Sequence, residues 1–273
     1  VVKRLGNDKP IHVNRITNTM GSGSHHLFVY KTTDSEEQLE PFECQPFVDI
    51  LSPDKVTLLM ISQTQGGDTL ELPPGVGLEI GADQMIRLEL HYINASTSSL
   101  DVSSKVSFEE MPESEVEYAA NLLMIGNNDI ELEPGAAATL GPQFIATPAS
   151  LNGVNFFGFS GHQHKFGTGV EVATANAAGE QDTVVYAPPN FVWSEPPIEY
   201  LDPPIQVPEG GGFRFSCQWN NTSTALVSFG ESANDEMCLF YGYYYPSQGA
   251  IACAHTGFTE DFCCPGHPIC SML

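Results

Sequence analysis

The sequence predicts an all-β protein, on three observations. Glycine (25) and proline (20) are spread along the whole chain and leave little room for long helices. Apolar residues recur in short alternating runs, the period of a strand with one buried face. The runs are many and are separated by Gly/Pro turns, the pattern of antiparallel sandwiches. At 273 residues the chain is long for one sandwich and comfortable for two domains.

The first strand is expected at Ile11–Ile16 and the second at His26–Lys31, entered through Gly21-Ser22-Gly23-Ser24. That entry followed by His25-His26 resembles an expression-tag scar, but the histidines stop at two and run straight into a strand. Residues 32–50 are acidic and loop-like and contain Cys44. Val56–Ser62 reads as a buried strand and Leu72-Pro73-Pro74-Gly75-Val76-Gly77 as a turn. In the next strand Ile86, Leu88, Leu90 and Tyr92 alternate with Arg87, Glu89 and His91, which puts His91 on the polar face, away from the core. Val102–Phe108 makes a further strand. The acidic run Glu109–Glu115 then breaks the pattern and marks a boundary between a first domain, 1–112, and a second, 113–250. Strands of the second are expected near 121–126, 129–133, 142–146, 155–160, 168–174, 183–187, 191–194, 213–219, 225–229 and 238–245. A Cys-rich tail, 251–273, holds Cys253, Cys263, Cys264 and Cys270 with His255 and His267. Disulfides are the expected use of these cysteines, and a Cys/His metal site is the alternative.

Ten Lys+Arg against 34 Asp+Glu give a formal charge of -24. Such a chain repels nucleic acid and anionic membranes, which excludes both as partners. No run approaches a membrane span, so no membrane insertion is expected, and Val1-Val2-Lys3-Arg4 reads as a mature or trimmed end rather than a signal peptide. Seven cysteines in an acidic, lysine-poor chain point to an oxidising compartment, secreted or periplasmic. Asn94-Ala95-Ser96, Asn220-Asn221-Thr222 and Asn221-Thr222-Ser223 are sequons too short to carry weight alone. A monomer is expected.

The chemistry concentrates in Gly161-His162-Gln163-His164, taken with Asn234-Asp235-Glu236-Met237-Cys238. On a strand, His162 and His164 point the same way and make a two-nitrogen chelate. Met237 opens an aromatic strand that ends Tyr243-Tyr244-Tyr245. Two imidazoles with a thioether favour copper over zinc, because soft sulfur prefers Cu(I) while imidazole suits both copper states. A pair of surface histidines is the plainer reading of His-x-His alone. His25, His26 and His91 supply three further imidazoles, enough for copper or zinc. Neighbours such as His25 and His26 reach one ion only if the strand bends, starts or bulges there. Taken singly, His91 reads as a surface histidine and the pair as turn histidines.

The order His-His, Leu-x-Leu-His-Tyr, Gly-His-x-His, Asp-Glu-Met-Cys and then Tyr-Tyr-Tyr-Pro resembles the copper type II, ascorbate-dependent monooxygenases, typified by peptidylglycine α-hydroxylating monooxygenase and dopamine β-monooxygenase. Leu72–Gly77, Phe191-Val192-Trp193, Phe213–Thr222 and Val227–Glu231 are similar as well, so the likeness runs from about residue 11 to 246 and leaves the tail outside. The resemblance implies two tandem antiparallel jelly-roll β-sandwich domains with two copper ions per chain, facing each other across a solvent-filled cleft. His25, His26 and His91 match the electron-transfer copper; His162, His164 and Met237 match the oxygen-binding copper. Cys217 and Cys238 match a family disulfide, and Cys217 shares a strand face with Phe213, Phe215 and Trp219. Cys44 and the four tail cysteines have no counterpart.

The activity implied is hydroxylation of a C–H bond in a small or peptide-like substrate, with O2 and an external reductant such as ascorbate. Tyr241 shares a strand face with Met237 and matches a substrate-binding tyrosine; a core aromatic with a satisfied hydroxyl is the competing reading. The arginine that holds a peptide carboxylate in the peptide-hydroxylating member is replaced by Ser160, and a nearby asparagine by Leu239, which argues against a glycine-extended peptide. Glu89 is placed to orient a ligand histidine, or else is a solvated partner of Arg87. A non-catalytic copper-binding or storage protein on the same scaffold is the main alternative, and an adhesive or carbohydrate-binding jelly roll a third.

Overall fold

A computed structural model describes residues 1–44, 55–64, 66–92, 94, 96–230, 232, 234–257 and 260–271, apart from the side chains of His25 and Ser271. Twenty strands and three short 3-10 turns make up its regular structure, and no α-helix occurs among the described residues. The chain divides into two compact units, residues 1–121 with 245–250, and residues 122–244 with 251–273.

The first unit contains β1 (Val2–Arg4), β2 (Ile11–Met20), β3 (Ser24–Thr32), β4 (Val56–Ser62), β5 (Thr69–Glu71), β6 (Val76–Ile80), β7 (Met85–Tyr92) and β8 (Ser104–Met111). One sheet has the order β1-β7-β3-β4. In the other, β2 pairs with β8 along one edge and with β6 and β5 along the opposite edge. Residues 109–115 do not divide the units: they complete β8 and a single 3-10 turn, Glu113–Glu115. The following strand, β9 (Tyr118–Asn127), begins in this unit, where Tyr118–Ala120 run parallel to Val76–Leu78.

The faces of β7 differ from the alternation reading. Arg87, Glu89 and His91 stand opposite Tyr30, Phe28 and His26 of β3. Those three are buried, and so is Glu89. On the other face Ile86 is buried and Leu88 and Leu90 are half-buried, so both faces of β7 are covered to a similar degree. Alternation fixes which residues share a face; which face is covered depends on strands far away in sequence.

The second unit continues from β9 through β10 (Glu131–Leu132), β11 (Ala137–Ala146), β12 (Asn155–His162), β13 (Gly167–Ala175), β14 (Gln181–Tyr186), β15 (Glu199–Ile205), β16 (Gly212–Asn220), β17 (Val227–Ser228), β18 (Leu239–Tyr245), β19 (Ile251–His255) and β20 (Phe262–Cys264). One sheet runs β11-β16-β13-β14; the other places β12 between β15 and β18, with β9 on the far side of β18. The core lies between them. Phe213 of β16 meets Phe156 of β12 edge-on at 5.1 Å, and Phe215 meets Phe240 of β18 at 5.2 Å. The Cys217–Cys238 disulfide ties the same two layers. This unit is therefore a β-sandwich.

Two expectations need correction. Residues 191–194 form no strand; Phe191 packs on the core as part of a turn-rich segment instead. Residues 251–273 are not an appendage. Ile251–His255 pair in parallel with Leu123–Asn127, and Cys253 belongs to the central core. Cys253–Cys263 and Cys264–Cys270 are disulfides, which removes the thiols a Cys/His metal site would need. Cys44 is free and exposed.

Candidate metal centres

In the second unit, β12 carries His162 at its last position and His164 two residues on, already in the turn towards β13. Both imidazoles are buried, with ring centroids 5.2 Å apart and planes at 88°. The residue between them faces the other way. Gln163 donates from Nε2 to the Gln218 carbonyl (3.0 Å) and accepts at Oε1 from the Gly169 N–H (3.2 Å), clamping the turn onto β16 and β13. Glycine is required beside it: a Cβ on Gly167 would sit 2.5 Å from that of Gln163, and one on Gly161 3.0 Å from that of Val170.

His164 Nδ1 lies 3.1 Å from the Asp235 carbonyl oxygen. A carbonyl can only accept, so Nδ1 carries the proton and Nε2 presents its lone pair, as in metal-bound histidines oriented by a backbone carbonyl. The partner strand segment is held by Glu236, a fully buried carboxylate. Its Oε2 accepts from the His164 N–H (2.9 Å) and Trp219 Nε1 (2.8 Å), and its Oε1 from the Phe166 N–H (2.8 Å). The Met237 N–H lies 3.3 Å from the same Oε2. Burial pushes the Glu236 carboxyl up, and these four donors pull it back. Met237 follows directly, buried, and Cys238 is fixed by its disulfide. Met237 lies in the lead-in to β18 rather than within it.

Tyr241, in β18, is fully buried, and its hydroxyl has no hydrogen-bond partner among the described residues. A satisfied core tyrosine is therefore not what is seen. Burial drives its ionisation far above the ordinary phenol range, so it remains a donor. Ser160 is buried in β12.

In the first unit, His26 and His91 are directly registered across β3 and β7, with ring centroids 4.7 Å apart. Ser24 pairs with Tyr92 and His26 with His91, so His25 is the extra residue of a β-bulge. The strand thus has the irregularity that two neighbouring histidines need; the His25 side chain lies outside the described residues. His26 is buried and His91 half-buried, and desolvation holds the His91 imidazole below its ordinary value, in the neutral form a metal requires. Glu89, opposite Phe28, is too buried to be the solvated carboxylate of the competing reading, while Arg87 reaches Asp34 at 3.0 Å.

Among the described residues no group of three or more His, Cys, Asp or Glu is placed to hold a metal. A centre of two imidazoles and a thioether, or one that counts His25, falls outside that set. The donors that are described fit copper: perpendicular imidazoles, a protonated Nδ1 on a carbonyl and a buried thioether in the second unit, and a registered imidazole pair beside a bulge in the first.

The sequence motif had one clear omission. Glu236 sits inside the quoted Asp-Glu-Met-Cys stretch, but one acid among 34 carries no mark of burial. The signal available was its place directly before Met237 and Cys238, at the entry to an apolar strand.

Residues 141–262 match the family model described as the copper type II ascorbate-dependent monooxygenase C-terminal domain. That stretch is thus similar to the C-terminal domain of the copper type II monooxygenase family. The matched stretch runs past residue 246 and takes in β19, up to the first residue of β20, beyond the limit read from sequence. A chicken (Gallus gallus) protein, DBH-like monooxygenase protein 1, is 26% identical over 210 residues, which is 69% of this chain and 33% of that protein. The chain thus spans about a third of the length of this curated relative. Among solved structures, the major capsid protein P2 of bacteriophage PM2 overlays 91% of this chain and 93% of its own at 8% identity, with a TM-score of 0.40. The VP2 subviral particle of infectious bursal disease virus reaches 0.23 at 9% identity, over 88% of this chain and 57% of its own. Likeness this weak carries nothing about function.

Proposed function

We propose that the protein is a copper-dependent monooxygenase that hydroxylates a C–H bond of a small or peptide-like organic substrate, using O2 and an external reductant such as ascorbate. The observation that carries this reading is the state of His164: its Nδ1 is committed to the Asp235 carbonyl, and its ring stands at 88° to that of His162. His162, His164 and Met237 would hold one copper, and His25, His26 and His91 a second. Bound copper supplies O2 reduction at the first of these sets and electron storage at the other.

The chain's own residues set the surroundings. The Met237 thioether favours the reduced metal. Burial of His162, His164 and Met237 keeps bulk water from the centre. Tyr241 offers a hydroxyl donor that no described residue uses, and it would position a substrate through a carbonyl, hydroxyl or amine. Ser160 and Leu239 stand where a peptide-carboxylate site would need charge and an amide, so the substrate is one without that carboxylate. Three disulfides among the described residues fit an extracytoplasmic protein, secreted or periplasmic. No helix of the described residues is long and apolar enough to cross a membrane.

Copper titration followed by oxygen uptake tests the proposal. Two copper ions per chain and substrate-dependent O2 consumption with ascorbate are expected, and His162→Ala should reduce the load to one copper and abolish uptake. A wild-type protein that takes up one copper or none would end the reading.

A further inference from the structure

We infer that Glu236 is a positioning residue that sets His164 and Met237 as a pair, fixing the distance between imidazole and thioether before any metal arrives. This rests on the copper reading above. The two ligands come from chain segments more than 70 positions apart, and nothing in their own strands holds them in register: His164 has left β12 and Met237 precedes β18. One buried carboxylate bridges the gap. It accepts the backbone N–H of His164 on one side and forms part of the residue bonded to Met237 on the other.

The bridge is wider than one contact. Lys165 Nζ reaches Asn234 Oδ1 at 2.5 Å, His164 Nδ1 reaches the Asp235 carbonyl at 3.1 Å, and the His164 and Phe166 N–H groups reach Glu236 at 2.9 and 2.8 Å. Residues 164–166 and 234–236 therefore lie side by side along three consecutive positions, and within 234–236 Glu236 alone is buried. Trp219 Nε1, from β16, fixes the carboxylate from a third direction. The Glu236 backbone is anchored independently, its N–H to Ser228 at 3.0 Å and its carbonyl accepting from Gly230 at 3.2 Å. A carboxylate suits the position because both oxygens must accept, and all four donors are N–H groups. Glutamine presents one acceptor and one donor there, so it must leave N–H facing N–H. Aspartate is one methylene short of spanning the two segments.

The test reads the metal centre apart from turnover. X-ray absorption of the Cu(I)-loaded protein should show a sulfur shell in wild type. In Glu236→Gln the shell should be lost or weakened, with Cu(I) affinity down roughly 10–100-fold, the range seen when groups that orient metal ligands are removed. Circular dichroism should show the fold retained. In Trp219→Phe, which removes one donor and leaves the bridge, the shell should persist. A folded Glu236→Gln protein with an intact sulfur shell and unchanged affinity overturns the inference and leaves the copper reading standing. A wild type without a sulfur shell overturns both. Wild-type apoprotein gives a second check that needs no variant: the His164 and Phe166 amides should exchange slowly with solvent, and exchange at the rate of open loops would overturn the preset bridge.

Discussion

At the scale of single residues, the molecule shows several polar groups whose burial is at odds with their chemistry. Tyr241 is the clearest. A buried hydroxyl without a partner costs about 1–3 kcal/mol, so Tyr241→Phe should make the protein more stable by about 1 kcal/mol in thermal or urea unfolding without substrate. If the hydroxyl positions substrate, the same change should lower kcat/KM by roughly fivefold to tenfold at unchanged copper load. Stability and activity moving in opposite directions would separate this role from simple packing. Asp68 gives a pH signature. Burial raises its carboxyl above the ordinary value of 3.8, against hydrogen bonds from the Thr69 N–H (2.9 Å) and the Thr64 hydroxyl (3.3 Å). With the folded value raised, folding takes up a proton. That contribution is full below 3.8 and is lost as pH rises through the folded value. Asp68→Asn should flatten the stability profile over that rise, as measured by urea midpoints at a series of pH values. Ligand-type residues were legible at this scale because histidine and methionine are rare and their order is informative. Glu236 was legible only through its place before Met237-Cys238, and Glu89 through its place two residues before His91, with burial open in both cases because a one-dimensional string does not separate a buried acid from the acids of a solvated surface.

At the scale of elements, strands with strong alternation and clean punctuation could be read from sequence. Val56–Ser62 falls where β4 is, and His26–Lys31 lies within β3. β15 could not be read, because Asp202-Pro203-Pro204 argues against a strand; it is tolerated at an edge, where β15 pairs only with β12 among the described residues. The bulge at His25 was legible as a condition rather than as a fact: two adjacent histidines needed an irregular strand, and the pairing of β3 with β7 has one. The disulfide between β16 and the lead-in to β18 has a measurable weight. Cys217 and Cys238 lie 21 positions apart. Replacing both by serine should cost about 3 kcal/mol of unfolding free energy, seen as a lower denaturant midpoint. The same variant should bind Cu(I) more weakly, because Met237 would be held on one side only.

At the scale of the whole molecule, an all-β chain was predictable from composition and periodicity, whereas the place of the last 23 residues was not. Their cysteines signalled disulfides but said nothing of β19 lying in parallel beside β9, since parallel neighbours leave no short-range trace in sequence. The structure makes that segment part of the second unit's sheet and core. A chain ending at Ala250 should therefore fail to give a cooperative unfolding transition for this unit, whereas a dispensable tail would leave calorimetry unchanged. One further consequence concerns how the molecule has to be made. Cys217 and Cys238 are walled in between two packed layers, with the residues at 0% and 1% exposure. An oxidant can reach them only while those layers are still apart. Protein synthesised in a thiol-rich cytosol would close over two reduced sulfurs, and airing the purified material afterwards would not join them.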